Sequence, residues 1–350
     1  MMATRSPARS APPPTTARIG TTWSAIRNSN RRRLRRSPLP QRQPKRPSNS
    51  KREDTSMIRS LYSAVSGMLN NQRAMDVIGN NIANANTVAF KDSRTDFADA
   101  FYQVSRNATA NQPVSNQVGL GSIIVSTPSQ FTQGAFQRTD VPTDVAINGD
   151  GFFVVQNSTA TSNALTRAGD FILDQGDATA TPPVLGYLRS QDGWYVMGNA
   201  DGPPPTAIPA AGQAIAGMDK IYVPVEVAAG ELTSSFSIDS DGTVTAVGQL
   251  GTTLVVGYIG IASFPNPNGL IRTGSNRFEY NSSAGDSATA VKTPGNGTAG
   301  TLQQGALELS NVDLAAQFSE MIITQRAFDA NAKTITTSDE MLQTITNLKR

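Results

Sequence analysis

The sequence predicts an α+β protein: long N- and C-terminal helices paired as a coiled coil, with a mainly β, sandwich- or barrel-like middle region. Two observations predict it: apolar residues recur at heptad spacing at both ends, and that period fails between them in favour of short strands and turns. Cys and His are absent from all 350 residues. Without thiol or imidazole, disulfides, the usual zinc ligands and Ser-His-Asp chemistry drop out. No catalytic residue, cofactor or metal site is expected.

Charge divides the chain. Residues 1–56 hold 14 of the 30 Lys and Arg but only 2 of the 27 Asp and Glu, a surplus of 12 positive charges. The remainder carries 16 basic and 25 acidic residues, net −9. With Pro12–Pro14 and Arg31–Arg36 and almost nothing apolar to bury, 1–56 reads as a disordered basic extension. The arginines lack interleaved aromatics for nucleic acid and a following apolar stretch for an export signal. The economical reading is upstream sequence translated in frame ahead of Met57. No run of 18 apolar residues occurs, so membrane insertion is not expected.

In the front segment Leu61, Val65, Met68, Gln72, Met75, Ile78 (or Gly79) and Ile82 form one stripe. In the tail Leu314, Phe318, Met321, Gln325, Phe328, Ala332, Ile335, Asp339, Leu342 and Thr346 form the other, flanked by Ile345 and Leu348. Ser310 and Asp313 read as the cap of a tail helix beginning near Val312. Two such stripes at opposite ends of a chain are most economically buried against each other. Amides crowd the neighbouring positions: Asn70, Asn71, Asn80, Asn81, Asn84 and Asn331. They are poor helix formers, and read as uncharged glue between subunits.

From 88 to about 310 the pattern is β. Asn148-Gly149-Asp150-Gly151 between Val145–Ile147 and Phe152–Val155 reads as a hairpin turn. Leu165–Leu173, Gly186–Arg189 and Gly193–Gly198 continue as a meander, and Ser235–Val247 and Thr252–Phe264 give two more hairpin-like runs. Asp239-Ser240-Asp241-Gly242 begins like a calcium loop but lacks the closing Glu, and reads as a β-turn. The domain reading is a basic extension 1–56, an axial helical unit 57–87 with 310–350, a linker with β segments 88–145, and a β domain 146–309 with room for a small inserted subdomain around 200–265.

The front block Met57–Tyr62, Met75–Asn84 and Phe90-Lys91, with the tail block Leu309–Leu314, Gln325–Phe328 and Thr336–Leu342, resembles the bacterial flagellar rod and hook family of axial proteins. The resemblance implies a structural subunit, not an enzyme, that polymerises through its terminal helices into a tube. It also implies neighbouring rod, hook-cap and hook–filament junction proteins and the flagellar export apparatus as partners. Export without a cleaved signal to the extracellular hook or the basal-body rod follows from it, and no nucleic acid partner does. Val118–Gly121, Phe131–Gly134, Gly149–Phe153 and Asn347–Arg350 look more like the hook protein than the distal rod protein, so the hook is the first expectation and the rod the second. A secreted β-rich binding module with a helical stalk is the contrasting class.

Overall fold

The computed structural model describes residues 49–108, 114–158, 163–174, 184–199, 218–228, 230–286 and 291–348. Two 35-residue helices, α1 (Asn49–Ala83) and α2 (Leu314–Leu348), pack against each other. α1 begins inside the basic segment, so the boundary expected at 56/57 falls within a helix and 49–56 are helical rather than disordered. The two run antiparallel. Asn81 Nδ2 donates to Gln317 Oε1 at 3.2 Å, and two heptads further from that end Gly67 lies against Asn331.

The heptad spacing is as expected, but apart from Ile78 the buried stripe is displaced by one residue. Ala64, Ala74, Ile78 and Asn81 are buried on α1, with Gly67 between them; on α2 the buried residues are Gln317, Thr324 and Ser338. Met321, Phe328, Asn331, Ile335 and Leu342 are half-buried. Of the expected seam, Val65, Gln72, Leu314, Phe318, Gln325 and Ile345 are exposed; Leu61, Met68, Met75 and Ile82 are half-buried flanks. The physical reason is size. A Cβ on Gly67 would stand 2.8 Å from Asn331 Nδ2, so the backbones approach where side chains are small, and large apolar residues are pushed to the rim.

The exit of α1 and the entry of α2 each have a chemical cause. At the exit of α1, Asn84 Nδ2 donates to Asn80 O at 2.9 Å, and the chain reverses at Ala89, which has φ +56°. At the entry of α2, Asp313 Oδ1 accepts from Ala315 N at 2.9 Å and Ala316 N at 3.2 Å, so Asp313 is the cap. Ser310, expected to share that role, instead accepts from Val312 N at 3.3 Å, ahead of the helix, which starts at 314 rather than 312.

After α1 the chain rises into a β arm. Asp96–Asp99 pairs with Ser122–Ser126, and Tyr102–Arg106 with Asn116–Gly119. The arm's base rests on α1, where Asn70 Nδ2 donates to Ser122 O (2.7 Å) and Ser122 Oγ (2.9 Å).

Among the described residues fifteen strands join one antiparallel sheet. Phe152–Gln156 lies at its centre, buried along its whole length. Alternation sends Phe153 into one core with Val145, Ile147, Phe171, Leu188 and Ile259, and Phe152 and Val154 into another with Leu165, Phe264 and Phe278. The strands between 219 and 262 continue this sheet and Ile238, Val244 and Val256 share its first core, while most of the remainder of the inserted subdomain expected around 200–265 lies outside the described residues. Asp239–Gly242 is the β-turn expected, with Gly242 N donating to Asp239 O at 3.0 Å.

The turn at 148–151 exists but is not a hairpin. Val145–Asn148 pairs with Thr301–Gln304, whereas Phe152–Gln156 pairs with Asn163–Thr166, Tyr195–Asn199 and Ile261–Ala262. The glycines carry the chain between sheets at φ +108° and +139°, and a Cβ on Gly151 would lie 2.1 Å from Ile261 Cγ2. Gly151→Ala is therefore expected to destabilise the β body by about 1–3 kcal/mol, read from the urea midpoint at unchanged slope.

Candidate assembly site: the helix pair and its buried clasp

The expected assembly residues divide by the face they occupy. Tyr62, Val65 and Leu69 on α1, and Leu314, Phe318, Ile322 and Ile323 on α2, present large apolar side chains to solvent, with Ile323 68% exposed. On the arm Phe97, Phe101, Ile123 and Val125 are exposed, Phe101 at 87%. So many large apolar side chains left in solvent on two helices and one arm are surface available for association.

Two of the amides are not where the glue reading put them. Asn70 and Asn81 are buried and spend their hydrogen bonds inside the chain. Asn81 Oδ1 accepts from Ser93 N at 3.1 Å, and its Nδ2 donates to Ser93 O at 2.7 Å as well as to Gln317. Asn331 lies in the seam against Gly67. Asn80 is exposed, and bonded to Asn84 just past the end of its own helix.

Between helices and β body lies a feature that sequence reasoning missed. Glu308, just ahead of α2, is fully buried; its Oε1 accepts from Lys91 Nζ at 2.6 Å and Gly134 N at 2.9 Å, and its Oε2 from Arg167 Nε at 3.0 Å. Lys91 also donates to Thr132 O at 2.7 Å, and Arg167 to Gly149 O at 2.8 Å. Both cations are as buried as the anion they share.

The same junction is stitched by backbone and amide. Ala89 N donates to Glu308 O at 2.8 Å and Asn311 N to Phe90 O at 3.3 Å. Asn311 Oδ1 accepts from Asp92 N at 2.8 Å, and its Nδ2 donates to Gln130 O at 2.8 Å. Arg272 donates to Lys91 O, and Asn276 Nδ2 to Val88 O at 2.6 Å. The stubs leaving α1 and entering α2 are thus held side by side in the body. Burial, reinforced by the Arg167 charge, holds the Lys91 ammonium below its ordinary pKa against the pull of Glu308.

Three family models match along the chain: the flagella basal body rod protein over 61–91, the flagellar hook protein FlgE/F/G D1 domain over 146–246, and the flagellar basal body rod FlgEFG protein C-terminal region over 303–348. The flagellar basal-body rod protein FlgG of Bacillus subtilis is 42% identical over 299 residues, spanning 84% of this chain and all of its own length. The chain belongs to the flagellar rod and hook protein family. Within that family, FlgG of Borreliella burgdorferi is 36% identical over 301 residues. The flagellar hook protein FlgE of the same organism is 27% identical over a 445-residue alignment, again with 84% of this chain covered. Members are structural components of the flagellar basal body and hook rather than enzymes. Among the described residues no helix is long and apolar enough to cross a membrane, and no cluster of acidic residues could hold a metal.

Glu308→Gln leaves two buried cations without a counter-ion and is expected to cost about 3–5 kcal/mol, whereas Lys91→Met leaves one balanced pair and costs less; urea denaturation of both variants checks the order. The lowered Lys91 pKa also has a signature. Between the folded value and the ordinary lysine value the unfolded chain binds the extra proton, so stability relative to Lys91→Met rises as pH increases through that window. Paired denaturation curves from neutral to alkaline pH measure it, and a flat difference would remove the assignment.

Proposed function

We propose that this protein is a subunit of the distal rod, the drive shaft of the flagellar basal body, and that it polymerises through the outward faces of its terminal helices. The observation that carries the rod over the hook is the full-length correspondence with proteins named FlgG, closer and free of the long insertions that the FlgE alignment contains. Of the residues that suggested the hook, the glycines serve the internal fold: Gly121 packs against Ser66, Gly134 N bonds Glu308, and Gly149 and Gly151 turn the chain between sheets, while Lys349 and Arg350 lie outside the described residues. They therefore do not favour one member over the other. The clasped junction also suits a shaft, because torque passes from helices to body through buried charge pairs rather than a slack linker.

In this reading α1 and α2 form an antiparallel coiled coil, with a β body of sandwich-like layers outside it. The apolar rim of Tyr62, Leu69, Phe318, Ile322 and Ile323 meets the helices of the next copies, and the arm reaches across to brace them. One head-to-tail contact that fails to close generates the tube. Neighbouring rod and hook proteins are its partners at the two ends, and the flagellar export apparatus delivers it without a cleaved signal.

Purified full-length chain is expected to assemble into straight tubes under the electron microscope. Curved tubes would point instead to the hook, and a monomer at every concentration would remove both. Phe318→Asp is expected to abolish tubes while leaving the near-ultraviolet circular dichroism of the β body unchanged.

A further inference from the structure

The seam between α1 and α2 repeats itself. On α2 the positions that face the close approach are Gln317, Thr324, Asn331 and Ser338, one heptad apart and all small or polar. On α1 the facing positions include Ala64, Gly67 and Ala74. Sliding one helix by a heptad would set Thr324 or Ser338 against Gly67 instead of Asn331, and the larger half-buried residues of α2, Met321, Phe328, Ile335 and Leu342, repeat at the same interval, so buried Ile78 meets a residue of the same set in each register. A seam of this kind offers little volume complementarity by which to choose its register. It also starts poorly, since a first helical turn is costly to form and the two segments are separated by the whole β region.

Both difficulties are removed at one end of the pair. Asn81, fully buried, fastens the last turns of α1 to Ser93 and to Gln317 in the first turn of α2. Ser93 follows Lys91 by two residues, and Asp313, which caps α2, follows Asn311 by two. Lys91 and Asn311 are themselves fixed by Glu308, Thr132, Asp92 and Gln130. The structure therefore assigns a specific role to the clasp. We propose that the Lys91–Glu308–Asn311 junction, acting through Asn81 and Gln317, is the nucleation point and register key of the helix pair, from which pairing zips outward toward Gly67–Asn331. This concerns how one subunit folds its ends, and stands whether the assembly is a rod or a hook.

The chain has no Cys, so engineered pairs report register without background. In the full chain, Gly67→Cys with Asn331→Cys is expected to form a disulfide, while Gly67→Cys with Thr324→Cys or with Ser338→Cys is not. Adding Asn81→Ala should bring the slipped pairs to within about tenfold of the aligned one. Adding Glu308→Gln should do the same; if that variant loses the near-ultraviolet signal of the body, Asn311→Ala replaces it. Amide exchange in the unassembled chain is expected slowest over 74–83 and 314–324, rising toward 60–66 and 335–345. Aligned crosslinks alone in Asn81→Ala, slipped crosslinks in the parent chain as abundant as aligned ones, or the opposite exchange gradient would each overturn the proposal.

Discussion

The Glu308 carboxylate is the constraint on which the rest of this structure depends. It gathers Lys91, Arg167 and the Gly134 amide from three parts of the sequence into one dry site, directly beneath the points where α1 leaves and α2 enters the body. A buried anion with a single cation would add little over an apolar replacement; one that satisfies several donors fixes their positions, because any displacement strands a charge out of water. The cluster is best understood as a geometric device more than as a source of stability.

That geometry explains why the helices can afford so modest a seam. Among the described residues Ile78 is the one large apolar side chain fully buried on either helix, and Ala64, Gly67, Ala74, Thr324 and Ser338 bury little apolar area, so contact between the two helices alone is modest. The larger side chains, Tyr62, Leu69, Phe318, Ile322 and Ile323, are spent on the outside. A subunit whose strongest apolar surface is external, and whose internal helix pairing is tight but thin, is suited to completing its core by association. The body has the opposite economy: Phe152–Gln156 buries both faces and needs no neighbour.

Membership of the flagellar rod and hook family follows from matches at both ends and the middle of the chain, and its structural character agrees with the absence of thiol and imidazole. The distinction between rod and hook is finer. It is carried by overall correspondence rather than by any single motif, since the glycine-rich motifs are occupied with turns and close approaches inside the fold.

Sequence by itself determined the architecture in outline: two helices at the ends, their heptad period, a β middle, the turns at Asp239–Gly242 and Asn148–Gly151, and Asp313 as a cap. Those are local properties, set by side-chain period, glycine at positive φ and hydroxyl or carboxylate caps, and they are legible wherever the neighbours are close in the chain. Tertiary structure decided the rest. It chose the small residues over the large as the seam, because backbone approach depends on what the partner helix presents. It sent the strands on either side of Gly149 and Gly151 to different partners, because pairing is a long-range choice. It also buried Lys91, Arg167 and Glu308 together, a trio that reads as ordinary surface charge until the fold brings position 91 to position 308 and excludes water from between them.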